Sequence, residues 1–181
     1  MIYRTKELLQ MGETEYSIRE KVRNHSLYAI SRGMYSDEKE EIAETEACIA
    51  KRYPYAVFTG LYAFSYYDLT DQVPDKYDVV TPQHSFPIRR EDINQSYQEL
   101  STINIGVHEV NTKDGSIRIY DLERMLIELV RLKGRYSPEL YYEVLNSYRK
   151  IKHKIDYIKL NQYARGFKNG SRLLFKIKEL I

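Results

Sequence analysis

The sequence predicts an α+β protein: a small N-terminal winged helix-turn-helix, then a mixed domain with a small antiparallel sheet and a helical C-terminal third. Three observations support this. Two short helical patterns separated by a glycine precede a hairpin signature near the N-terminus, an Asp-Gly turn joins two strand-like segments later on, and apolar residues recur at helical spacing towards the end. We therefore expect a winged helix at residues 1–36, a linker helix at 37–54 and a C-terminal domain at 55–181.

The N-terminal pattern begins with two helices. Residues 4–11 carry apolar side chains at helical spacing, and Gly12 is typical of a helix end. Residues 15–24 predict a second helix, with Ile18 and Val22 directed towards a core. This second helix is short, polar on one side and partly basic, as expected of a helix that enters the DNA major groove.

A hairpin follows, with strands in residues 27–35 and a turn at Ser31-Arg32-Gly33. Helix, turn, helix and hairpin together predict a winged helix. The candidate DNA contacts are polar or basic residues of the second helix and the wing: Tyr16, Ser17, Arg19, Lys21, Arg23 and Arg32.

The N-terminal charge is only weakly basic, since residues 1–36 contain six Lys/Arg against four Glu. Non-specific DNA binding usually draws on several phosphate contacts. The same pattern also occurs in small domains that bind no charged partner, so both interpretations stay open on these residues alone.

Acidic residues dominate the next segment, where residues 37–46 contain six acids and one lysine. Acids favour the positive end of a helix dipole, so we expect a helix over residues 37–52 that Pro54 ends. A solvated helix face explains these carboxylates better than a metal site does.

In the C-terminal domain, Thr59 is a predicted N-cap after Val57-Phe58. Residues 76–81 predict a strand, residues 83–96 a loop with one helical turn, and residues 103–110 and 116–120 the two strands of an Asp-Gly hairpin.

Four helices should complete the chain. Asp121 is expected to cap a helix with a broad apolar stripe, Ser137-Pro138 to start a second, Asp156 a third and Gly170-Ser171 a last one. Residues 145–181 hold ten Lys/Arg against two acids, a net charge of +8. We expect a second basic surface formed by Lys150, Lys154, Lys159, Lys168, Arg172 and Lys176; the alternative is a solvated face.

Catalytic chemistry is not indicated. The four histidines lack metal-ligand spacing, and no phosphate-binding glycine loop or nucleophile elbow occurs. We therefore expect no catalytic residues, no metal and no cofactor. The single cysteine, Cys48, excludes an internal disulfide, and no apolar run is long enough to span a membrane, so we expect a soluble cytoplasmic protein without a membrane partner.

Five segments resemble, in order, the AbiEi-type antitoxins of type IV toxin–antitoxin systems, which are linked to abortive infection of phage-infected bacteria. They are residues 16–22, 27–35, 52–58, 68–77 and 117–126. The family's winged helices usually have another helix upstream, and residues 1–3 leave little room for one.

The resemblance implies a non-enzymatic antitoxin that represses its own operon by binding operator DNA, at inverted repeats upstream of its genes. It also implies a cognate nucleotidyltransferase-like toxin, often countered without a stable complex. The alternative is a protein-interaction module that neutralises the toxin directly and binds no DNA.

Overall fold

The computed structural model describes residues 1–39, 45–112 and 114–181, which form two compact units. The first unit contains residues 1–54 and 109–117, and the second contains residues 55–108 and 118–181. Helices and strands are mixed in the chain, so the predicted α+β class is confirmed. Residues 109–117, which we assigned to the C-terminal domain, belong to the first unit.

The first unit contains the predicted helix, turn, helix and hairpin, with one additional strand. Its elements are β1 (Ile2–Arg4), α1 (Thr5–Gln10), α2 (Glu15–Arg23), β2 (Tyr28–Ser31) and β3 (Met34–Ser36). The three strands form an antiparallel sheet in the order β1-β3-β2. We did not predict β1, because three residues are too few for an alternating pattern and their partner strand lies some thirty residues later.

Two apolar clusters hold this unit together. Leu8, Ile18 and Leu27 join the two helices to the start of the hairpin, with Val22 partly buried against them. Ile2 and Met34 form a second cluster with Ala47 and Cys48, so the cysteine is buried.

The acidic segment differs from the helix predicted over residues 37–52. The observed helix α3 is Glu46–Arg52, and residues 40–44 lie outside the described part of the chain. Asp37 is not helical: it pairs with the N-terminal amine and accepts a hydrogen bond from the Tyr3 hydroxyl at 3.1 Å. Lys51 of α3 donates to the Ile2 carbonyl and to Glu7, so α3 packs within the first unit instead of acting as a linker.

Strands between residues 57 and 120 form a five-stranded sheet. Its strands are β4 (Val57–Phe58), β5 (Tyr77–Pro82), β6 (Ile93–Gln98), β7 (Val107–Thr112) and β8 (Gly115–Tyr120), in the order β6-β5-β4-β8-β7. The β4–β5 pair is antiparallel, whereas β5–β6 and β4–β8 are parallel. The sheet is therefore mixed, and larger than the small antiparallel sheet that we predicted.

Strand β6 corrects the prediction of a loop over residues 83–96. Its residues are mostly polar because it is an edge strand, and β5 supplies its hydrogen-bonding partner. The predicted strand over 103–110 also begins late, because Leu100–Ile103 forms the short helix α5.

The remaining helices are α4 (Gly60–Tyr66), α6 (Leu122–Arg131), α7 (Pro138–Ile151), α8 (Tyr157–Arg165) and α9 (Gly170–Leu180). The predicted cap at Asp121 is confirmed, since its carboxylate accepts from the Arg124 amide at 2.9 Å. Ser137 and Asp156, predicted as helix starts, are caps as well: Ser137 accepts from Leu140 at 3.2 Å and Asp156 from Ile158 at 2.9 Å. No helix in the described ranges is long and apolar enough to cross a membrane.

Helix α4 has a different cap from the one we predicted. The Thr59 side chain makes no cap hydrogen bond and instead contacts the Met125 sulfur at 3.7 Å. The Asp78 carboxylate, from strand β5, accepts the Leu61 amide at 2.7 Å. A side chain distant in sequence therefore caps this helix.

Glu143 of α7 holds the loop that follows α4. Its carboxylate accepts hydrogen bonds from the Thr70 hydroxyl at 2.8 Å, the Asp71 amide at 2.7 Å and the Gln72 side chain at 3.2 Å. The Asp71 amide is the main cause of the lowered pKa of Glu143.

We expect Glu143→Gln to lower the free energy of unfolding at neutral pH by about 1 kcal/mol, because charge-assisted hydrogen bonds become neutral ones. A carboxyl whose pKa is lowered by folding stabilises the protein above its unfolded pKa, and this contribution disappears as pH falls through the folded value. The difference between variant and parent should thus shrink below pH 4.5, the ordinary value for Glu. Urea unfolding of both proteins at a series of pH values measures this difference in free energy. A difference that does not change with pH would contradict the stabilising role of the Glu143 carboxylate.

Candidate nucleic-acid interface

Helix α2 presents a stripe of exposed side chains on the side away from the core. Tyr16, Arg19 and Arg23 are spaced three and four residues apart and are all exposed, and Tyr16 is 74% accessible. Ile18, on another face, is only 3% accessible. The amphipathic helix thus leaves one aromatic and two guanidinium groups available to a partner; we call these three residues the α2 stripe.

Acidic neighbours accompany both arginines of the stripe. Arg19 lies 3.6 Å from Glu15 and Arg23 lies 2.8 Å from Glu20. Such exposed pairs contribute about 0–1 kcal/mol and exchange readily with water or another anion. The arginines therefore remain competent to contact phosphate or base edges.

Two other candidate DNA contacts, Ser17 and Lys21, bind residues that lie just before α2. The Ser17 hydroxyl donates to Glu13 at 2.6 Å, and the Ser17 amide donates to the Thr14 hydroxyl at 3.0 Å. Lys21 forms an ion pair with the same Glu13, and the pKa of Glu13 is lowered first by Lys21 and then by Ser17. Ser17 and Lys21 thus stabilise the helix start, and the sequence signal for this was the Thr14-x-x-Ser17 capping spacing.

The remaining N-terminal candidate, Arg32, lies at the exposed tip of the β2–β3 hairpin. Gly33 follows with a φ of +75°, a conformation that a glycine adopts without strain. The Thr5 amide donates to the Gly33 carbonyl at 3.1 Å, which ties the tip to the start of α1. The wing tip is therefore held by the body of the unit.

The predicted basic surface of the second unit does not form one patch. Lys159 is a structural residue: its ammonium lies 2.8 Å from Asp121 and 3.3 Å from Glu123. Burial opposes its charge, but the hydrogen bonds and negative charges of Asp121 and Glu123 together outweigh burial and raise the pKa of Lys159. Lys150 and Lys154 line a cavity of about 550 Å³ that also contains Glu143.

Three of the predicted basic residues lie together. Lys168, Arg172 and Lys176 are exposed and four residues apart, on and just before α9. Arg172 and Arg165 also border a shallow cavity beside Phe167. The basic residues of segment 145–181 thus do not share one surface: Lys168, Arg172 and Lys176 form a cluster at α9, whereas Lys150, Lys154 and Lys159 lie elsewhere.

The Tyr120–Arg124 segment, part of the resemblance, forms a buried polar core instead of a surface. Arg124 is fully buried, with its guanidinium 4.3 Å from the Tyr120 ring centroid and 4.5 Å from that of Phe167. It donates to Glu128 at 3.0 Å and to the Thr102 carbonyl at 2.8 Å. Sequence reasoning did not find this role of Arg124, because helical spacing does not show that an arginine is buried.

The carboxylates of the same segment join α6 to α8. Besides capping α6, Asp121 accepts a hydrogen bond from the Tyr163 hydroxyl at 2.9 Å. Glu123 is buried and accepts the Asp156 amide at 3.0 Å. The segment therefore stabilises the helical third of the chain.

Within the described residues, no three His, Cys, Asp or Glu side chains are grouped to hold a metal ion. No protein-family model matches the chain, and no curated protein sequence matches it.

Proposed function

We propose that this protein is a DNA-binding transcriptional regulator whose first unit meets the duplex. The observation that carries the proposal is the α2 stripe of Tyr16, Arg19 and Arg23, beside a β2–β3 wing with Arg32 at its tip. A short helix of this kind fits the major groove, and a wing reaches adjacent backbone or the minor groove. Ser17 and Lys21 contribute indirectly, by holding the start of α2.

More particularly, we propose an AbiEi-type antitoxin that acts in the cytoplasm, represses its own operon at upstream inverted repeats and counters a nucleotidyltransferase-like toxin. The ordered resemblance of five segments supports this identity, and two of them have defined places in the fold. Residues 70–72 are held by Glu143, and residues 120–124 form the buried polar core.

Fluorescence anisotropy with the purified chain tests the proposal. The probes are a duplex from the region upstream of its own gene and a shuffled duplex of the same composition, at about 50 to 200 mM salt. We expect preference for the upstream duplex and affinity that falls as salt rises. Equal binding of both duplexes, or no salt-sensitive binding, would reject a sequence-specific regulator.

The ion pairs on α2 favour a second candidate, a protein-interaction module that neutralises a toxin directly. Arg19, Lys21 and Arg23 each face a glutamate, which reduces the positive field that DNA would meet. Co-expression with the product of the neighbouring reading frame distinguishes the two candidates. A stable complex together with absent DNA binding would establish this alternative.

The basic cluster at α9 provides a separate prediction within the proposed DNA-binding function. Replacing Lys168, Arg172 and Lys176 with Gln should weaken binding to all duplexes alike and reduce the salt slope by roughly one unit per lost phosphate contact. Lys150→Gln with Lys154→Gln is the control for a general loss of charge. If both sets changed the slope equally, the α9 cluster would have no specific role on DNA.

A further inference from the structure

A polar cleft in the second unit has no role in the function proposed above. Its volume is about 450 Å³, which lies within the range of small-molecule sites. Its floor is formed by alternate residues of the paired strands β5 and β6, which share one face of the sheet: Asp78, Val80, Asn94, Ser96 and Gln98. The end of α6 and the turn before α7 form another part of its lining, including Arg131, Arg135 and Tyr136.

Most charged groups of the cleft are already compensated. Asp78 accepts the Leu61 amide at 2.7 Å and the Asn94 side-chain amide at 2.6 Å. Glu128 is paired with buried Arg124 at 3.0 Å and with Arg131 at 2.7 Å. These contacts hold the lining in place and give each oxygen of the two carboxylates a donor.

Two adjacent donors differ from the rest of the lining. Neither the Arg135 guanidinium nor the Tyr136 hydroxyl forms a hydrogen bond or ion pair with any residue that the structure describes. The Tyr136 ring is fixed edge-on against Phe64, with centroids 5.5 Å apart. Burial, followed by the charges of Glu128 and Asp78, raises the pKa of Tyr136, so its hydroxyl remains a neutral donor.

Arg135 and Tyr136 are neighbours in the chain and both line the cleft, so their free guanidinium and hydroxyl are suited to an anion. Guanidinium groups match the oxygens of phosphate in a bidentate geometry. The cleft is larger than inorganic phosphate requires, and its amide, hydroxyl and carboxylate groups suit a partner rich in hydroxyls or ring nitrogens.

We propose that this cleft binds a phosphorylated small molecule of the size of a nucleoside monophosphate. The phosphate lies on Arg135 and the Tyr136 hydroxyl, and the remainder of the molecule lies over the polar face of β5 and β6. The site is independent of DNA binding by the first unit, because every residue of its lining belongs to the second unit.

Isothermal titration of the full chain with AMP, GMP, CMP and UMP, and with the matching nucleosides and inorganic phosphate, tests this site. We expect at least one nucleotide to bind, and its nucleoside to bind at least about tenfold more weakly because the charge-assisted contacts are lost. Failure of all four nucleotides to bind at about 1 mM would overturn the proposal. Equal affinity for nucleoside and nucleotide, or binding of inorganic phosphate alone, would overturn it as well.

Matched variants locate the phosphate contact. Arg135→Gln should weaken the nucleotide at least about tenfold and leave the nucleoside unchanged, and Tyr136→Phe should weaken the nucleotide by a smaller factor. Lys133 belongs to the same turn, but its ammonium lies 4.7 Å from the Tyr141 ring centroid and outside the cleft lining. Lys133→Gln therefore removes a nearby charge and should leave the affinity for the nucleotide unchanged. Circular dichroism confirms that each variant is folded. Equal effects of Arg135→Gln and Lys133→Gln would reject Arg135 as the anion contact.

Discussion

Replacing Arg124 with Met is expected to lower the free energy of unfolding of the second unit by about 3–5 kcal/mol. Arg124 is fully buried, and its removal takes one donor from each of the Thr102 and Ile105 carbonyls and leaves Glu128 with only Arg131. Lysine should not rescue the variant, because an ammonium cannot reach a carboxylate and two carbonyls in the planar geometry of a guanidinium.

Far-UV circular dichroism during urea unfolding measures this loss, since the chain has no tryptophan to serve as a fluorescence probe. Arg165→Met is the matched control: Arg165 is exposed on α8, and its replacement should cost less than about 0.5 kcal/mol. Replacing Arg124 and Glu128 together by Met should recover part of the loss, because no uncompensated buried carboxylate remains. A loss below about 1 kcal/mol for Arg124→Met alone would contradict a stabilising role for the buried network.

Replacing Arg19 and Arg23 together with Gln is expected to weaken binding to the upstream duplex at least about thirtyfold. A side chain that contacts a base edge contributes roughly 1–3 kcal/mol, and two such losses combine. Tyr16→Ala should weaken binding further, because Tyr16 is 74% exposed on the same stripe as the two arginines.

Lys21→Gln provides the control, because Lys21 lies on the same helix but pairs with Glu13 and is 44% exposed, against 79% and 78% for the Arg19 and Arg23 side chains. It should change affinity less than about threefold, provided that circular dichroism shows an intact fold. If Lys21→Gln were as harmful as the arginine pair, the loss would reflect total charge and the α2 stripe would not be the contact surface. Competition with a shuffled duplex separates lost base contacts from lost phosphate contacts.

Local chemistry explains which elements the sequence determined. The caps at Asp121, Ser137 and Asp156 each involve an amide two or three residues onwards, so residue type and spacing suffice to predict them. The same holds for α2, whose amphipathic pattern separates Ile18 from the exposed arginines within nine residues. The α+β class followed from such local patterns.

Only the tertiary structure decided which polar residues of those elements are free. Arg19 and Lys21 belong to one helix and one charge class, yet Lys21 is held by Glu13 from the preceding turn, whereas Arg19 lies 3.6 Å from Glu15 and stays exposed. Lys159 was predicted to be at a surface, but carboxylates 36 and 38 residues earlier in the chain hold it. The edge strand β6 and the Asp78 cap of α4 likewise depend on partners brought together by folding. Hydrogen bonds and ion pairs between distant residues produce no periodic pattern in the sequence. The tertiary structure was therefore needed to identify the α2 stripe, the buried core around Arg124 and the free donors Arg135 and Tyr136.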